Sequence, residues 1–422
     1  MLFTGYEGTV LLAIPSDGGQ VTDLGRVIAG WRPQALDGGR RVLVSNAIHE
    51  LESGRKERLV TRGTDLRYIG DGILVHLSGS TLMATRVDPS TLEPVGRTIP
   101  VLTGVRAESF QAGQWDVSAR GDLVYAAGEA VSAGTLTWLA PDGRVVDSVV
   151  TPDRLHGTFA ISPDGGRLAI EVVRPEQAVW MYDLATGAEQ KLSLDTRGRR
   201  PMWSPDGAQV LFQAGGLGSR QWYLRTVEAG VAEEPIPLLP DGAYLDSWSP
   251  DGRFYAVRVS DTTQWVAALE VATGDLTLIH ESDFSDWGAV FSPDGRAVAY
   301  TSDETGEYHV NVSPFPPTGL HRQVSREGGA EEPLWSPTGD RLYYRNGQRL
   351  MSVSIGWTPE LQVGPPQVVF ERDWVNVPGR SYDISPDGTR FLVILPESSS
   401  ASQLNVILGW RDEVRRLLDQ GG

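Results

Sequence analysis

A four-residue word recurs along this chain at nearly constant spacing, and no other feature restricts the possible folds as tightly. Ser-Pro-Asp-Gly begins at Ser162, Ser204, Ser249, Ser292 and Ser385, and the variant Ser-Pro-Thr-Gly begins at Ser336. The intervals are 42, 45, 43, 44 and 49 residues. Self-similarity of this period marks a chain built by stacking one supersecondary unit many times. The flanks repeat as well. A large apolar residue stands before each Ser: Ile161, Trp203, Trp248, Phe291, Trp335 and Ile384. A short run rich in β-branched and aromatic residues follows each Gly, as in Phe254-Tyr255-Ala256-Val257 and Phe391-Leu392-Val393-Ile394. Such short runs predict strands, and no amphipathic helical period accompanies them.

The word itself is turn chemistry. Pro presets φ at the second position of a type I turn, Asp suits the third, and Gly follows at the fourth. Ser and Asp side chains can also bond to nearby main-chain groups. Each unit therefore reads as strand, tight turn, strand. A third strand with its own hairpin signal follows, as at Asp183-Leu184-Ala185-Thr186-Gly187 and Glu270-Val271-Ala272-Thr273-Gly274, and then a short outer strand such as Leu276-Thr277-Leu278-Ile279. Four strands in 40–45 residues make one blade of a β-propeller.

Weaker copies lie upstream. Ser118-Ala119-Arg120-Gly121, Asp71-Gly72 and Leu36-Asp37-Gly38-Gly39 each lead into an apolar run, and Ser16-Asp17-Gly18-Gly19 reads as a hairpin. Nine anchors and a partial unit exceed the four to eight blades of one typical propeller. The expected division is an all-β chain with a six-bladed ring over 135–422 and a partial second propeller of three to four units over 1–134. Leu136–Gly143 is expected to lend an outer strand that closes the ring. Residues 411–418, Arg-Asp-Glu-Val-Arg-Arg-Leu-Leu, read as a short amphipathic helix docked on the last blade.

The strand-turn signature resembles the TolB-like β-propeller family, whose blades carry the Ser-Pro-Asp-Gly word. A closer resemblance is to the propeller regions that follow the kinase domain in many bacterial serine/threonine kinases. It rests on Trp31-Arg32-Pro33-Gln34-Ala35-Leu36-Asp37-Gly38-Gly39-Arg40, Ala299-Tyr300-Thr301-Ser302-Asp303-Glu304-Thr305-Gly306, Val310-Asn311-Val312-Ser313-Pro314-Phe315-Pro316 and the closing Val406-Ile407-Leu408-Gly409-Trp410. The resemblance covers nearly the whole chain. It implies a propeller, a sensing or protein-binding role and a periplasmic or extracytoplasmic location; it does not imply one activity, because propellers accompany many functions.

Charge and motifs narrow the function. A formal net charge of −17 opposes binding to nucleic acid or anionic lipid, since such a chain repels phosphate. Cysteine is absent, which removes disulfides, thiolate metal sites and cysteine catalysis. The longest early apolar run, Val10–Ile14, is too short to span a bilayer, and no signal peptide is read at the start. The kinase signatures are missing: Asp283-Phe284-Ser285 and His321-Arg322-Gln323 only mimic them, and Gly215-Gly216-Leu217-Gly218 reads as a hairpin tip. No Gly-x-Ser-x-Gly elbow of an α/β-hydrolase occurs.

No two of the six His lie two to five residues apart, so a local metal motif is missing and only convergence from different blades could make one. The repeated Asp164, Asp206, Asp251, Asp294 and Asp387 could form a calcium ring or stabilise five turns. The turn reading covers all five, and Thr338 at the sixth position suits it better. The Trp residues before the anchors read as inter-blade core rather than a stacking cage. No cofactor is expected, and the chain is expected to be monomeric.

The candidate binding residues are those a few positions before each anchor, expected in loops that enter the inner strands at one end of the channel. They are Arg199, Arg200, Tyr244, Trp287, Glu331, Glu332 and Arg380. Arg and aromatic side chains suit interfaces and charged ligands, whereas the plainer reading is solvated loop. Three function classes stand: a non-catalytic platform for a protein, peptide or other ligand, which is the reading adopted; a channel-site metal-dependent hydrolase or lactonase; and a structural spacer.

Overall fold

The computed structural model of the chain describes residues 2–4, 10–13, 22–26, 32–44, 47–51, 53, 56–58, 64–106, 113–128, 134–152, 154–174, 176–194, 197–214, 221–228, 232–236, 239–240, 243–260, 264–280, 284–357, 360–396 and 403–420. The hairpin expected at Ser16–Gly19 and the tip at Gly215–Gly218 lie outside these. The chain forms two compact units, one of Met1–Ser132 with Ser398–Gly422 and one of Ala133–Glu397.

The second unit is a ring of six antiparallel sheets. The first blade holds strands Leu155–Ile161, Arg167–Arg174, Ala178–Asp183 and Glu189–Lys191. The second holds Gly198–Trp203, Gln209–Ala214, Gln221–Thr226 and Glu234–Pro235. The third holds Tyr244–Trp248, Phe254–Ser260, Gln264–Glu270 and Leu276–His280. The fourth holds Asp286–Phe291, Ala297–Ser302, His309–Pro314 and Arg322–Gln323. In the fifth, Ala330–Trp335, Arg341–Asn346 and Arg349–Gly356 are followed by Gln362–Val363 and Gln367–Glu371, both paired with the third strand.

The sixth blade closes the ring. Its strands Tyr382–Ile384 and Phe391–Leu395 come from the end of the unit, and Thr135–Leu139 and Val145–Ser148 from its beginning. Leu136 faces Ile394 and Trp138 faces Leu392 across the seam. The closing segment thus supplies two strands, where one was expected, and the third and fourth places of the sheet are both filled.

Second strands are buried on both faces, so their alternate residues serve two different blade junctions. Leu168 and Ile170 pack with Leu136, Trp138 and Ile394 of the sixth blade, while Ala169 packs with Trp203, Val210 and Phe212 of the second. The same arrangement continues round the ring, with one apolar cluster at each junction. Trp203 and Trp335 lie in these junctions, and their indole N–H groups donate to Ala160 O and Val290 O of the preceding blades at 2.9 and 3.1 Å. Trp248 differs: it is half-buried and donates to Gly252 O of its own turn at 3.0 Å.

The repeated word forms the turn its chemistry predicts. Each Ser hydroxyl donates to the Asp two residues on at 2.5–2.7 Å. The same carboxylate oxygen accepts the amide two residues further, and the Gly amide returns to the Ser carbonyl. Hydrogen bonds from Ser385 and Thr389 push the Asp387 carboxyl down to about 2. In the fifth blade Asp340 takes over, accepting from both Ser336 and Thr338. Each carboxylate is therefore engaged inside its own turn, as the turn reading requires.

Residues 403–420 depart from expectation. Strand Leu404–Ile407 pairs with Leu123–Ala126, in a sheet completed by Trp115–Val117 of the first unit. Helix Trp410–Gln420 buries Trp410, Val414 and Leu418 against Ile69, Ile73, Val75 and Leu77 rather than on the last blade. Arg415 pairs with Asp71 and Arg86 with Asp419, fixing the helix on the strands Ile73–Ser78 and Thr81–Val87. The physical reason is an open edge: among the described residues Leu123–Ala126 pairs in its own stretch of chain only with Trp115–Val117, and the terminal strand fills its other side. Sheets of Leu2–Thr4, Val10–Ala13 and Thr22–Arg26, then Gln34–Leu36 to Lys56–Arg58, then Thr64–Tyr68 to Pro94–Leu102, complete this unit.

Gly252 has φ of +75° with nothing within 4 Å of a built Cβ, so Gly252→Val acts through backbone strain alone, costing about 1–3 kcal/mol in urea denaturation. Asp251→Asn keeps the accepting oxygen and should change stability far less; equal, large losses would restore the calcium-ring reading. Trp410→Ala should cost about 3–5 kcal/mol, as for a large buried side chain. Hydrogen exchange should then show lost protection in peptides from 64–126, with those from 155–395 unchanged.

Candidate functional site

The candidate residues do not sit in entry loops. Arg199, Arg200, Tyr244, Trp287, Glu331 and Glu332 belong to the first strands of their blades, and only Arg380 precedes one. First strands of neighbouring blades touch, which identifies them as the strands nearest the axis. Five of the six are interrupted at about the same level: the register shifts between His156 and Phe159, Arg199 and Met202, Leu245 and Ser247, Trp287 and Val290, and Glu331 and Leu334. A bulge re-aims side chains and bends its strand. The residue four before the anchor is left-handed at Arg200 (φ 53°), Gly288 (φ 66°) and Glu332 (φ 57°). For Arg and Glu this conformation is costly, and strain of this kind gathers at functional positions.

The strand pairing reveals a second row that the sequence reading missed. In four blades the residue five before the anchor pairs with the residue nine after it: Arg199 with Gln213, Tyr244 with Arg258, Trp287 with Thr301, and Glu331 with Arg345. Gln213, Arg258 and Thr301 are buried, as is Glu171 at the same position of the first blade. The signal was present, since a charged or amide side chain interrupts an apolar strand in Ile170-Glu171-Val172, Phe212-Gln213-Ala214 and Val257-Arg258-Val259. Buried polar groups need partners: Glu171 finds one on the second blade, whereas the Gln213 amide and the Thr301 hydroxyl have none among the described residues.

Carboxylates carry the links. Glu171 accepts from Thr158 Oγ1 at 3.0 Å and from the Arg200 amide of the second blade at 3.4 Å. Asp246 accepts the Gly288 and Ala289 amides of the fourth blade at 3.0 and 3.2 Å. Glu332 accepts the amide and hydroxyl of Ser381 in the sixth at 2.8 and 2.6 Å, and Arg345 lies 3.5 Å away. Asp383 of the sixth accepts the Ile161 amide of the first at 2.8 Å. Burial pushes Asp246, Glu332 and Asp383 above the usual carboxylate range, opposed by the guanidinium groups of Arg258, Arg345 and Arg380 beside them. Burial likewise lowers Arg200, helped by repulsion from Arg258; both guanidinium groups lie over the Tyr244 ring, at 5.1 and 4.3 Å.

The candidates thus divide by what they touch. Glu332 is buried and fully engaged between blades, and Tyr244 is covered by two arginines. Arg199, Trp287 and Arg380 are half-buried at equivalent positions of the second, fourth and sixth blades. Their Nε, Nε1 and Nε atoms are buried and find no acceptor among the described residues. Glu331 stands half-buried among them at the same level, its carboxyl pushed up by burial and drawn down by Arg345. The arrangement can hold an anionic group between guanidinium and indole donors.

Glu332→Ala should cost about 3–5 kcal/mol in urea denaturation, because it strands a partly buried Arg345 and removes two bonds to Ser381. Glu331→Ala should cost clearly less. The reverse order would place the inter-blade link on the wrong carboxylate.

Comparison with known proteins agrees with this architecture. Residues 144–339 match the family model described as the TolB beta propeller domain. Among curated proteins, the chain is 32% identical over 126 residues to the uncharacterized peptidase YuxL of Bacillus subtilis, covering 26% of this chain and 19% of that one. It is 26% identical over 143 residues to the uncharacterized protein Atu1656 of Agrobacterium fabrum, covering 33% of this chain and 48% of that one. The match therefore spans less than half the length of either relative. Among solved structures, a putative TolB from Agrobacterium tumefaciens aligns with a TM-score of 0.49 and 20% identity, over 62% of this chain and 97% of that one. The protein is an all-β chain with a propeller fold, and its residues 144–339 match the TolB β-propeller domain.

Proposed function

We propose that the ring is a non-catalytic platform that captures an acidic segment of a partner protein or peptide at the inner-strand bulges. The observation that carries this reading is the trio Arg199, Trp287 and Arg380, three half-buried side chains at one level of alternate blades, each with a buried N–H that has no acceptor among the described residues. Guanidinium groups favour carboxylates with forked geometry, and an indole beside them supplies an apolar face and one more donor. A rigid scaffold also limits the ordering cost of binding. The sequence stretches shared with propeller regions of bacterial serine/threonine kinases support a finer version, in which the platform is the sensor part of such a system.

The hydrolase or lactonase alternative has less support. The buried carboxylates Asp246 and Glu332 of the bulge level are committed to neighbouring blades, and the chain carries no nucleophile elbow.

Fluorescence anisotropy with a labelled Glu-rich peptide, a neutral peptide and a Lys-rich peptide tests the platform. The Glu-rich peptide should bind best and weaken with added salt. Arg199→Ala combined with Trp287→Phe should weaken it about tenfold or more while leaving the melting temperature within a degree or two, since neither side chain offsets a buried carboxylate. Equal binding of all three peptides, or undiminished binding by the folded double variant, would remove the site from the axis.

A further inference from the structure

Away from the axis, at the junction of the third and fourth blades, three side chains distant in sequence meet. His280 ends the outer strand of the third blade, Glu304 follows the second strand of the fourth, and His321 precedes that blade's outer strand. Their candidate ligand atoms all lie within 4.8 Å of one another. His321 Nε2 is 3.7 Å from Glu304 Oε2, and the two imidazole centroids are 4.7 Å apart. Behind them, His280 Nδ1 is 2.8 Å from Oδ2 of Asp286, which is fully buried, and the His280 ring stacks on Tyr300 at 5.3 Å.

We propose that His280, Glu304 and His321 form a zinc-type divalent metal site, with Asp286 orienting His280. Two imidazoles and one carboxylate are a donor set that Zn²⁺ accepts, with a fourth position left for water or an exogenous ligand. Metal-bound His commonly donates its other ring N–H to a carboxylate, which fixes the tautomer and raises the basicity of the ligating nitrogen. The Asp286–His280 pair has that form, with Nδ1–H donated and the Nε2 lone pair left for a metal. Zinc bonds of 2.0–2.1 Å place tetrahedral donors about 3.4 Å apart. The His321–Glu304 separation is already near this value, and both side chains are partly exposed and free to rotate closer. Charge also balances, because Glu304 and Asp286 together offset a divalent ion. A lone ion pair at this junction would need only one imidazole; the second, brought from a separate loop, accounts for the pattern as a ligand set.

The test uses the full chain stripped of metal with a chelator and titrated with ZnCl₂ at mildly alkaline pH, because zinc binding displaces protons from its imidazole ligands. Calorimetry and elemental analysis after gel filtration should find one ion per chain. His321→Ala should weaken binding about tenfold or more, and Asp286→Asn about 10–100-fold, as loss of an outer-shell carboxylate does. His321 is partly exposed, so its variant should melt like wild type without metal and carries the test if Asp286→Asn fails to fold. Substoichiometric zinc in the wild type, or wild-type affinity in His321→Ala, would overturn the assignment.

Discussion

A ring of sheets holds together only if the last blade is finished by the first part of the same unit. Here Thr135–Leu139 completes that join by pairing along Phe391–Leu395. Without it, the sixth blade would expose the edge of Phe391–Leu395, and the apolar faces of Leu136, Trp138 and Ile394 would lose their place against the first blade. Every junction in the ring depends on this one. Each blade buries its two faces against two neighbours, so an open ring would leave two faces wet.

Apolar packing alone leaves the angle between blades loosely specified, and the buried carboxylates narrow it. Glu171, Asp246, Glu332 and Asp383 each reach main-chain amides of a neighbouring first strand. A buried charge is tolerated only with several donors and a nearby cation, and the bulges create both. They release amides from the strand ladder and turn Arg and Glu side chains along the junction. The same distortion that joins the blades leaves Arg199, Trp287 and Arg380 each with a buried N–H that has no acceptor among the described residues. Roles thus divide within one level of the ring: the buried carboxylates, with Arg258, Arg345 and Arg380 beside them, hold blades together, and Arg199 and Trp287 keep donors unmatched among the described residues.

Much of this was legible in the chain before any coordinates. The turn word, its spacing and the strands after it announced blades because Ser, Pro, Asp and Gly act through bonds two to five residues long. The inter-blade Trp residues followed the same logic, with Trp248 diverted to its own turn. The terminal helix was recognised from its amphipathic pattern, yet its docking place was not, since an apolar stripe does not name its partner. Trp410 and Val414 are consistent with either surface; the free edge of Leu123–Ala126 drew them to the first unit.

What the sequence determined by itself was therefore local: turns, strands, the repeat, and the absence of kinase and hydrolase signatures. Tertiary structure decided what depends on contacts between blades. Pairing of Arg199 with Gln213 and of Glu331 with Arg345 requires a bulge whose position no residue pattern announced. His280, Glu304 and His321 are 24 and 17 residues apart and meet only because two blades pack face to face. Short-range hydrogen bonding writes itself into neighbouring residues, whereas the meeting of side chains from different blades is set by ring closure and by the packing of whole sheets.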